Sequence, residues 1–159
     1  MKKTNKGFSL VELIIVIAIM AILAAAIAPA LIRYIDKSRR ADDVTAAGTV
    51  LTGVQTAMAD EDCYSEIQAV STSTKTCIVS VKAGGKIKAA TNATTVSATT
   101  NLKSEMESTL ASGVPMKYTK DKAAYFNVFI DGETLEVYIA KSKTSSEWQI
   151  QPSTAKEYK

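Results

Sequence analysis

Residues 7–32, GFSLVELIIVIAIMAILAAAIAPALI, decide the fold, because they form a nearly unbroken apolar run that contains one acid. Leu13 to Ile32 is a stretch of 20 residues without a charge, the length needed to cross a hydrocarbon layer of about 30 Å. Lysines precede the run, and Glu12 lies near its start. A carboxylate costs about 2 to 3 kcal/mol or more at the centre of a bilayer. The run therefore predicts a membrane-spanning helix, and Glu12 needs an explanation.

Three kinds of N-terminal segment compete for this pattern. A secretory signal peptide explains the basic start, but its apolar region is normally about 7 to 15 residues long. A plain signal anchor explains the length and gives Glu12 no role. A short basic leader that ends in Gly7 and is cut before Phe8 leaves Glu12 close to the new N-terminus.

The residues that carry this third interpretation resemble a known family. KGFSLVELIIVIAIMAILAAAIAPAL is similar to the N-terminus of type IV pilins and of their relatives, the type II secretion pseudopilins. The match consists of Gly7 at the end of the leader, Phe8 as the first mature residue, Glu12 as the fifth, and Pro29 near the end of the apolar helix. The short leader and the Phe8 start resemble the type IVa group. The resemblance covers about the first 35 to 60 residues.

The resemblance implies a processing route and a set of partners. A prepilin peptidase would cut the bond between Gly7 and Phe8 and N-methylate Phe8. The mature chain would wait in the membrane until an inner-membrane platform and its ATPase stack it, with copies of itself, into a helical filament on the cell surface. In family terms, the segment near Pro29 can unwind during assembly. Proline lacks an amide donor, so a kink at Pro29 is also expected from the residue alone.

Glu12 acquires a physical role in such a filament. Cleavage creates an amine on Phe8, and packed apolar helices at the filament centre leave this amine and the Glu12 carboxylate in need of partners. Opposite charges attract strongly where the effective dielectric constant is low. Because desolvation offsets much of that attraction, we expect the pair between neighbouring subunits to select the axial register rather than to add net stability.

Charge and composition narrow the function of the remaining chain. Without residues 1–7, which hold three lysines, the balance is 19 − 3 = 16 Lys and Arg against 16 Asp and Glu. This balance gives no indication of a nucleic-acid-binding surface. A local basic patch has acids among and directly after its members, so we interpret it as a mixed, solvated helix face. The basic residues are Arg33, Lys37, Arg39 and Arg40, and the acids are Asp36, Asp42 and Asp43. The chain has no histidine, which removes the commonest general base and most zinc sites. An enzyme that uses carboxylates would need a pair of acids at a characteristic spacing, and none stands out, so we expect neither an enzyme, nor a metal site, nor a cofactor.

The pattern divides the chain into a leader (1–7), a membrane or filament-core helix (8–32), an amphipathic second half of the same helix (33–60) and a globular domain (61–159). One helix from about Phe8 to Ala59 is expected to bury a stripe at 3-4 spacing, made of Val44, Ala47, Leu51, Val54 and Met58. Strands are predicted at Thr76–Lys82, Lys86–Ala89, Ala124–Ile130, Thr134–Ala140 and Glu147–Gln151, with Asp131-Gly132 as a hairpin turn. A short helix is predicted from Leu102, Met106 and Leu110, with Asn101 as its N-cap and Gly113 as its stop, after a surface loop at Ala89–Thr100. The fold class is therefore α+β, a long helix on a small antiparallel sheet, as in the pilin fold.

Two cysteines lie in the globular domain, and their spacing is not that of a metal motif. Cys63 and Cys77 are fourteen residues apart. In an exported domain a disulfide is favoured over two free thiols, and closing a loop of about 15 residues would contribute about 3 kcal/mol. In pilins this connection is a variable region exposed on the filament, so the resemblance implies that the enclosed segment, Tyr64 to Thr76, is a candidate contact surface.

Three functions are compatible with these patterns. The leading one is a major type IV pilin that supports adhesion or twitching motility. A pseudopilin or minor pilin of a type II secretion or competence system is the alternative within the family. A monomeric, membrane-anchored extracellular binding domain is the alternative from another class, and it would have no use for cleavage at Phe8.

Overall fold

The computed structural model describes residues 7–70, 75–83, 100–110 and 112–158. Most of the leader, the predicted strand Lys86–Ala89 and nearly all of the predicted loop Ala89–Thr100 lie outside the described residues. The chain divides into two compact units, Met1–Lys37 and Ser38–Lys159.

Helix α1, Leu10–Ala57, begins in the first unit and ends in the second. It confirms the single long helix predicted from Phe8 to Ala59. The buried stripe in its second half differs from the predicted one, because Val44, Leu51 and Met58 lie only at the edge of the core. The residues that are buried are Asp43, Ala46, Ala47, Val50, Gly53, Val54 and Ala57.

Small residues hold the centre of that stripe because the helix is closely approached there. A Cβ atom added to Gly53 would lie 3.3 Å from two carbon atoms of the Leu110 side chain. The predicted stripe therefore includes Ala47 and Val54 of the buried face but omits the small residues at its centre, such as Gly53.

The sheet has four strands in the order β1-β2-β3-β4, and every neighbouring pair is antiparallel. The strands are β1 (Thr76–Lys82), β2 (Tyr125–Asp131), β3 (Thr134–Ala140) and β4 (Trp148–Gln151). Asp131 pairs with Thr134, so the hairpin turn consists of Gly132 and Glu133, one residue later than predicted. Gly132 has a φ of 61°, which glycine adopts without strain.

The two faces of the sheet have different environments. One face joins the buried stripe of α1 in the main core through Phe126, Val128, Ile130, Val137 and Ile139. Cys77, Phe129 and Tyr138 form a separate cluster, since alternate residues of a strand point to opposite faces. Lys75 lies over the Phe129 and Tyr138 rings and forms an ion pair with Glu136.

Two further helices pack beside the sheet. Helix α2, Glu61–Val70, was not predicted; Asp60 caps it by accepting hydrogen bonds from the backbone N–H groups of Asp62 (3.0 Å) and Cys63 (3.1 Å). Helix α3, Thr100–Thr109, confirms the predicted helix, and Leu102, Met106 and Leu110 are buried. Asn101 lies inside α3, so its predicted role as N-cap is wrong.

Candidate functional site

The start of α1 places Glu12 in a capping interaction. The backbone N–H of Ser9 donates to Glu12 Oε2 over 2.9 Å, and the N–H of Leu13 donates to the Ser9 carbonyl over 3.3 Å. Ser9 is thus the residue before the helix, and Glu12 reaches back to it as in a capping box. Ser9 was not predicted as a cap residue, although the spacing Ser-x-x-Glu in the sequence is the signal for it.

The predicted cleavage site, the bond between Gly7 and Phe8, is exposed at both residues. Phe8 is 81% exposed, and an added Cβ at Gly7 would meet nothing within 4 Å. Gly7, Phe8 and Ser9 precede the helix. The bond between Gly7 and Phe8 therefore lies in non-helical chain, with Phe8 and Ser9 between it and the first helical residue, Leu10.

The apolar part of α1 has no protein cover within its own unit. Among the described residues, every exposed large hydrophobic side chain lies between Phe8 and Ile35 except Tyr64. Part of helix α1 has a mean hydropathy of 3.0, and none of that part is buried. By length and composition, the helix is long and apolar enough to cross a membrane. Such a surface is stable only when lipid or other apolar surfaces cover it.

Pro29 lies inside α1, as predicted. Proline has no N–H to donate to the carbonyl of Ala25, four residues earlier. The side chain of Arg33 donates from Nε to the Pro29 carbonyl over 3.3 Å. The helix continues through this position, so the missing hydrogen bond weakens the backbone ladder there without ending it.

The predicted disulfide is absent from the structure, which has Cys63 and Cys77 as buried free thiols. Cys63 lies on α2, whereas Cys77 pairs with Phe129 in the sheet and belongs to the cluster separate from the main core. Its sulfur contacts the carbonyls of Val79 and Lys143 instead of Cys63. Burial raises the pKa of both thiols to about 11, with nearby Asp60 adding to the effect at Cys63.

Asp43, one acid of the helix face predicted to be solvated, is instead buried in the second unit, Ser38–Lys159, which we call the body. Asp43 is fully buried and accepts three hydrogen bonds: at Oδ1 from the N–H of Lys117 (2.6 Å), and at Oδ2 from the N–H of Tyr118 (3.1 Å) and the hydroxyl of Tyr158 (2.9 Å). Its carboxylate is thus occupied by donors from the loop after α3 and from the 3-10 helix at Lys156–Tyr158. This arrangement ties those two segments to α1. Within the described ranges, acidic and cysteine side chains form no cluster of three that could hold a metal.

Arg40 extends the same assembly. Its guanidinium lies 4.4 Å from the centre of the Tyr118 ring and 5.5 Å from that of Tyr158, and it donates to the Tyr118 hydroxyl over 2.8 Å. Asp121 lies 3.8 Å away. The hydrogen bond from Arg40 to Tyr118 raises the pKa of Arg40 further above its already high value.

Comparison with known proteins supports the interpretation of the N-terminus. Residues 2–28 match the family described as the prokaryotic N-terminal methylation motif. The chain is 38% identical over 68 residues to a type IV major fimbrial protein, FimA, of Dichelobacter nodosus, covering 40% of this chain and 44% of the relative. A second FimA protein of the same organism is 41% identical over 63 residues, covering 40% of this chain and 39% of the relative.

These matches cover less than half the length of the curated relatives. No solved structure matches the chain. The N-terminal segment of the chain therefore matches the methylation motif and is similar to the corresponding part of these type IV fimbrial proteins.

Proposed function

We propose that the chain is the major structural subunit of a type IV pilus, processed by a prepilin peptidase and polymerised with copies of itself through α1. The observation that carries the proposal is the placement of Glu12 behind an exposed Gly7–Phe8 bond, at the head of an uncovered apolar helix. The names of the matched relatives, which are fimbrial proteins, favour a pilus over a secretion apparatus. The role is structural, not catalytic.

In the proposed function, helix α1 occupies two environments, one before assembly and one after it. In the first, lipid covers the apolar side chains, and Glu12 stays near the headgroups with Phe8. In the second, the assembly platform and its ATPase move the helix into a filament on the cell surface, where α1 helices of other copies replace the lipid. The filament would serve surface adhesion or motility.

Glu12 can serve both the helix cap and the filament. A carboxylate offers about four acceptor positions, and the contact with Ser9 uses one of them. After cleavage, the amine of Phe8 in a neighbouring subunit can occupy another. Processing at Gly7–Phe8 and methylation at Phe8 leave the N–H of Ser9 in place, so the cap persists in the mature chain.

Two substitutions at Glu12 separate the cap from the charge. Glu12→Gln keeps an oxygen that can accept from Ser9 but loses the negative charge, whereas Glu12→Ala loses both. We expect both variants to insert in the membrane and to be cleaved, and both to fail to form surface filaments in sheared preparations examined by electron microscopy. Ser9→Ala is the matched control, because the backbone N–H that Glu12 accepts remains, and it should form filaments.

The outcomes distinguish the two roles. Filaments from Glu12→Gln but not from Glu12→Ala would show that Glu12 acts only as a cap. Normal filaments from Glu12→Ala would show that assembly does not require the charge of Glu12.

A further inference from the structure

Two basic side chains and one aromatic side chain follow the apolar segment, at positions 33–37. Arg33, Tyr34 and Lys37 are all exposed, Tyr34 by 73%. They belong to the unit Met1–Lys37. Arg33 and Lys37 are four residues apart in α1, so they lie on one face of the helix.

The structure divides the basic patch that the sequence showed as one mixed group. Asp43 is buried in the body, and Asp42 forms an ion pair with Lys117 at 3.0 Å. Arg40 stacks on Tyr118. These three charges are therefore already engaged within the second unit.

The charge that remains beside the apolar segment is positive. Asp36 is the one acid between Arg33 and Lys37. It offsets one of the two basic residues, so positions 33–37 carry a net charge of 2 − 1 = +1. An anionic partner is thus favoured at this end of the helix.

The length of the apolar segment identifies the partner. The 20 uncharged residues from Leu13 to Ile32 rise by about 1.5 Å each in a helix, or about 30 Å in total, which equals the hydrocarbon thickness of a bilayer. With Glu12 at one boundary, Arg33 and Tyr34 reach the headgroup level at the other. Tyrosine and basic side chains favour that level, where the anionic surface attracts them.

We propose that Arg33 and Lys37 bind the phosphate groups of anionic phospholipids at the end of the span opposite the leader, with Tyr34 in the same interface. The inference rests on the proposed function, because it requires a subunit held in the membrane before assembly. Basic residues on the translocated side oppose the usual orientation signal. Binding to headgroups gives a reason for their presence.

The test measures which lipid contacts this end of the helix. The full chain with Tyr34→Trp is reconstituted in vesicles containing either brominated phosphatidylglycerol or brominated phosphatidylcholine, and quenching of tryptophan fluorescence gives the relative affinity of the two lipids. The signal of Trp148 is subtracted by measuring the parent chain in the same vesicles. One net positive charge near an anionic surface gives an expected preference of about fivefold for phosphatidylglycerol.

The variants separate headgroup binding from general charge. Arg33→Gln with Lys37→Gln leaves a net charge of 0 − 1 = −1 at positions 33–37, so it should abolish or reverse the preference for phosphatidylglycerol. High salt should reduce the preference to about onefold. Lys82→Gln with Lys156→Gln removes the same charge from exposed positions of the body and should leave the preference unchanged. Equal affinity for both lipids in the Tyr34→Trp chain, or a preference that survives loss of Arg33 and Lys37, would overturn the proposal.

Flotation of the same vesicles distinguishes this failure from failure of the proposed function. A chain that floats with the vesicles, resists alkaline carbonate and shows no lipid preference overturns only the headgroup proposal. A chain that does not insert at all overturns both.

Discussion

Replacing Asp43 by asparagine tests how the body is held on α1. Oδ1 accepts from Lys117, while Oδ2 accepts from both Tyr118 and Tyr158. An amide presents one oxygen and one NH2 group, so in either orientation a donor of asparagine faces at least one backbone N–H. Because the site is fully buried, water cannot take over the lost acceptor.

The expected cost follows from the hydrogen bonds. A hydrogen bond to a charged group contributes about 1.5 to 3 kcal/mol, and a buried donor left without a partner costs about 1 to 3 kcal/mol. We therefore expect Asp43→Asn to lower the free energy of unfolding of the body by about 3 kcal/mol. Tyr158→Phe removes one donor and leaves the two backbone contacts in place, so it should cost about 1.5 kcal/mol.

Trp148 provides the assay, because its ring lies 6.1 Å from that of Tyr158 and its fluorescence reports on this part of the body. Urea unfolding of the full chain in detergent gives the free energies of the wild type, both single variants and the double variant. The double variant should be less destabilised than the sum of the single ones, since both remove the same contact. An Asp43→Asn variant within about 0.5 kcal/mol of the wild type would contradict the assigned role, since that is the range of neutral surface substitutions.

Two further predictions concern glycines and thiols. Gly48→Ala should stabilise the body by about 0.5 to 1 kcal/mol, because an added Cβ meets only Gln151 Nε2 at 3.9 Å. Gly53→Ala should stabilise the body less or not at all, because its added Cβ presses on the Leu110 side chain at 3.3 Å. Urea unfolding compares the two variants. An equal gain at both positions would contradict the close packing of α1 and Leu110. The pKa of Cys77 is raised by burial to about 11, so the folded state keeps a proton that the unfolded state loses. Its contribution to stability is present below the unfolded pKa and is lost as the pH rises toward 11, by about 1.4 kcal/mol for each pH unit above the unfolded value. Cys77→Ala should flatten the decline between pH values of about 8 and 10, and an unchanged slope would show that the thiol is not desolvated.

The N-terminus and the strands could be predicted from the sequence because their signals are local. The apolar run predicts α1, and alternation predicts β1, β3 and β4 at or close to their observed bounds. Leu102 and Met106 gave α3 by spacing alone. Each of these patterns is contained within one element.

What the sequence did not reveal depends on contacts between distant segments. Asp43 is buried because Tyr158, 115 residues later, donates to it. Asn127 is buried because its amide donates to the carbonyls of Ser142 and Ser145. The structure does not show the predicted disulfide; it has Cys63 and Cys77 as free thiols, and Cys77 is paired with Phe129 in the sheet. Helix α2 is a different case, because its signal was local: Asp60 caps the helix that follows it, and the helix was still not predicted.

The intact mass of the protein extracted from membranes shows whether the chain is cleaved and methylated as a pilus subunit. We expect a polypeptide that begins at Phe8 and is about 14 Da heavier than the unmodified chain, because one methyl group is added. A chain that retains residues 1–7, or one that has lost the whole apolar segment, would contradict assignment of the chain to a processed pilus subunit.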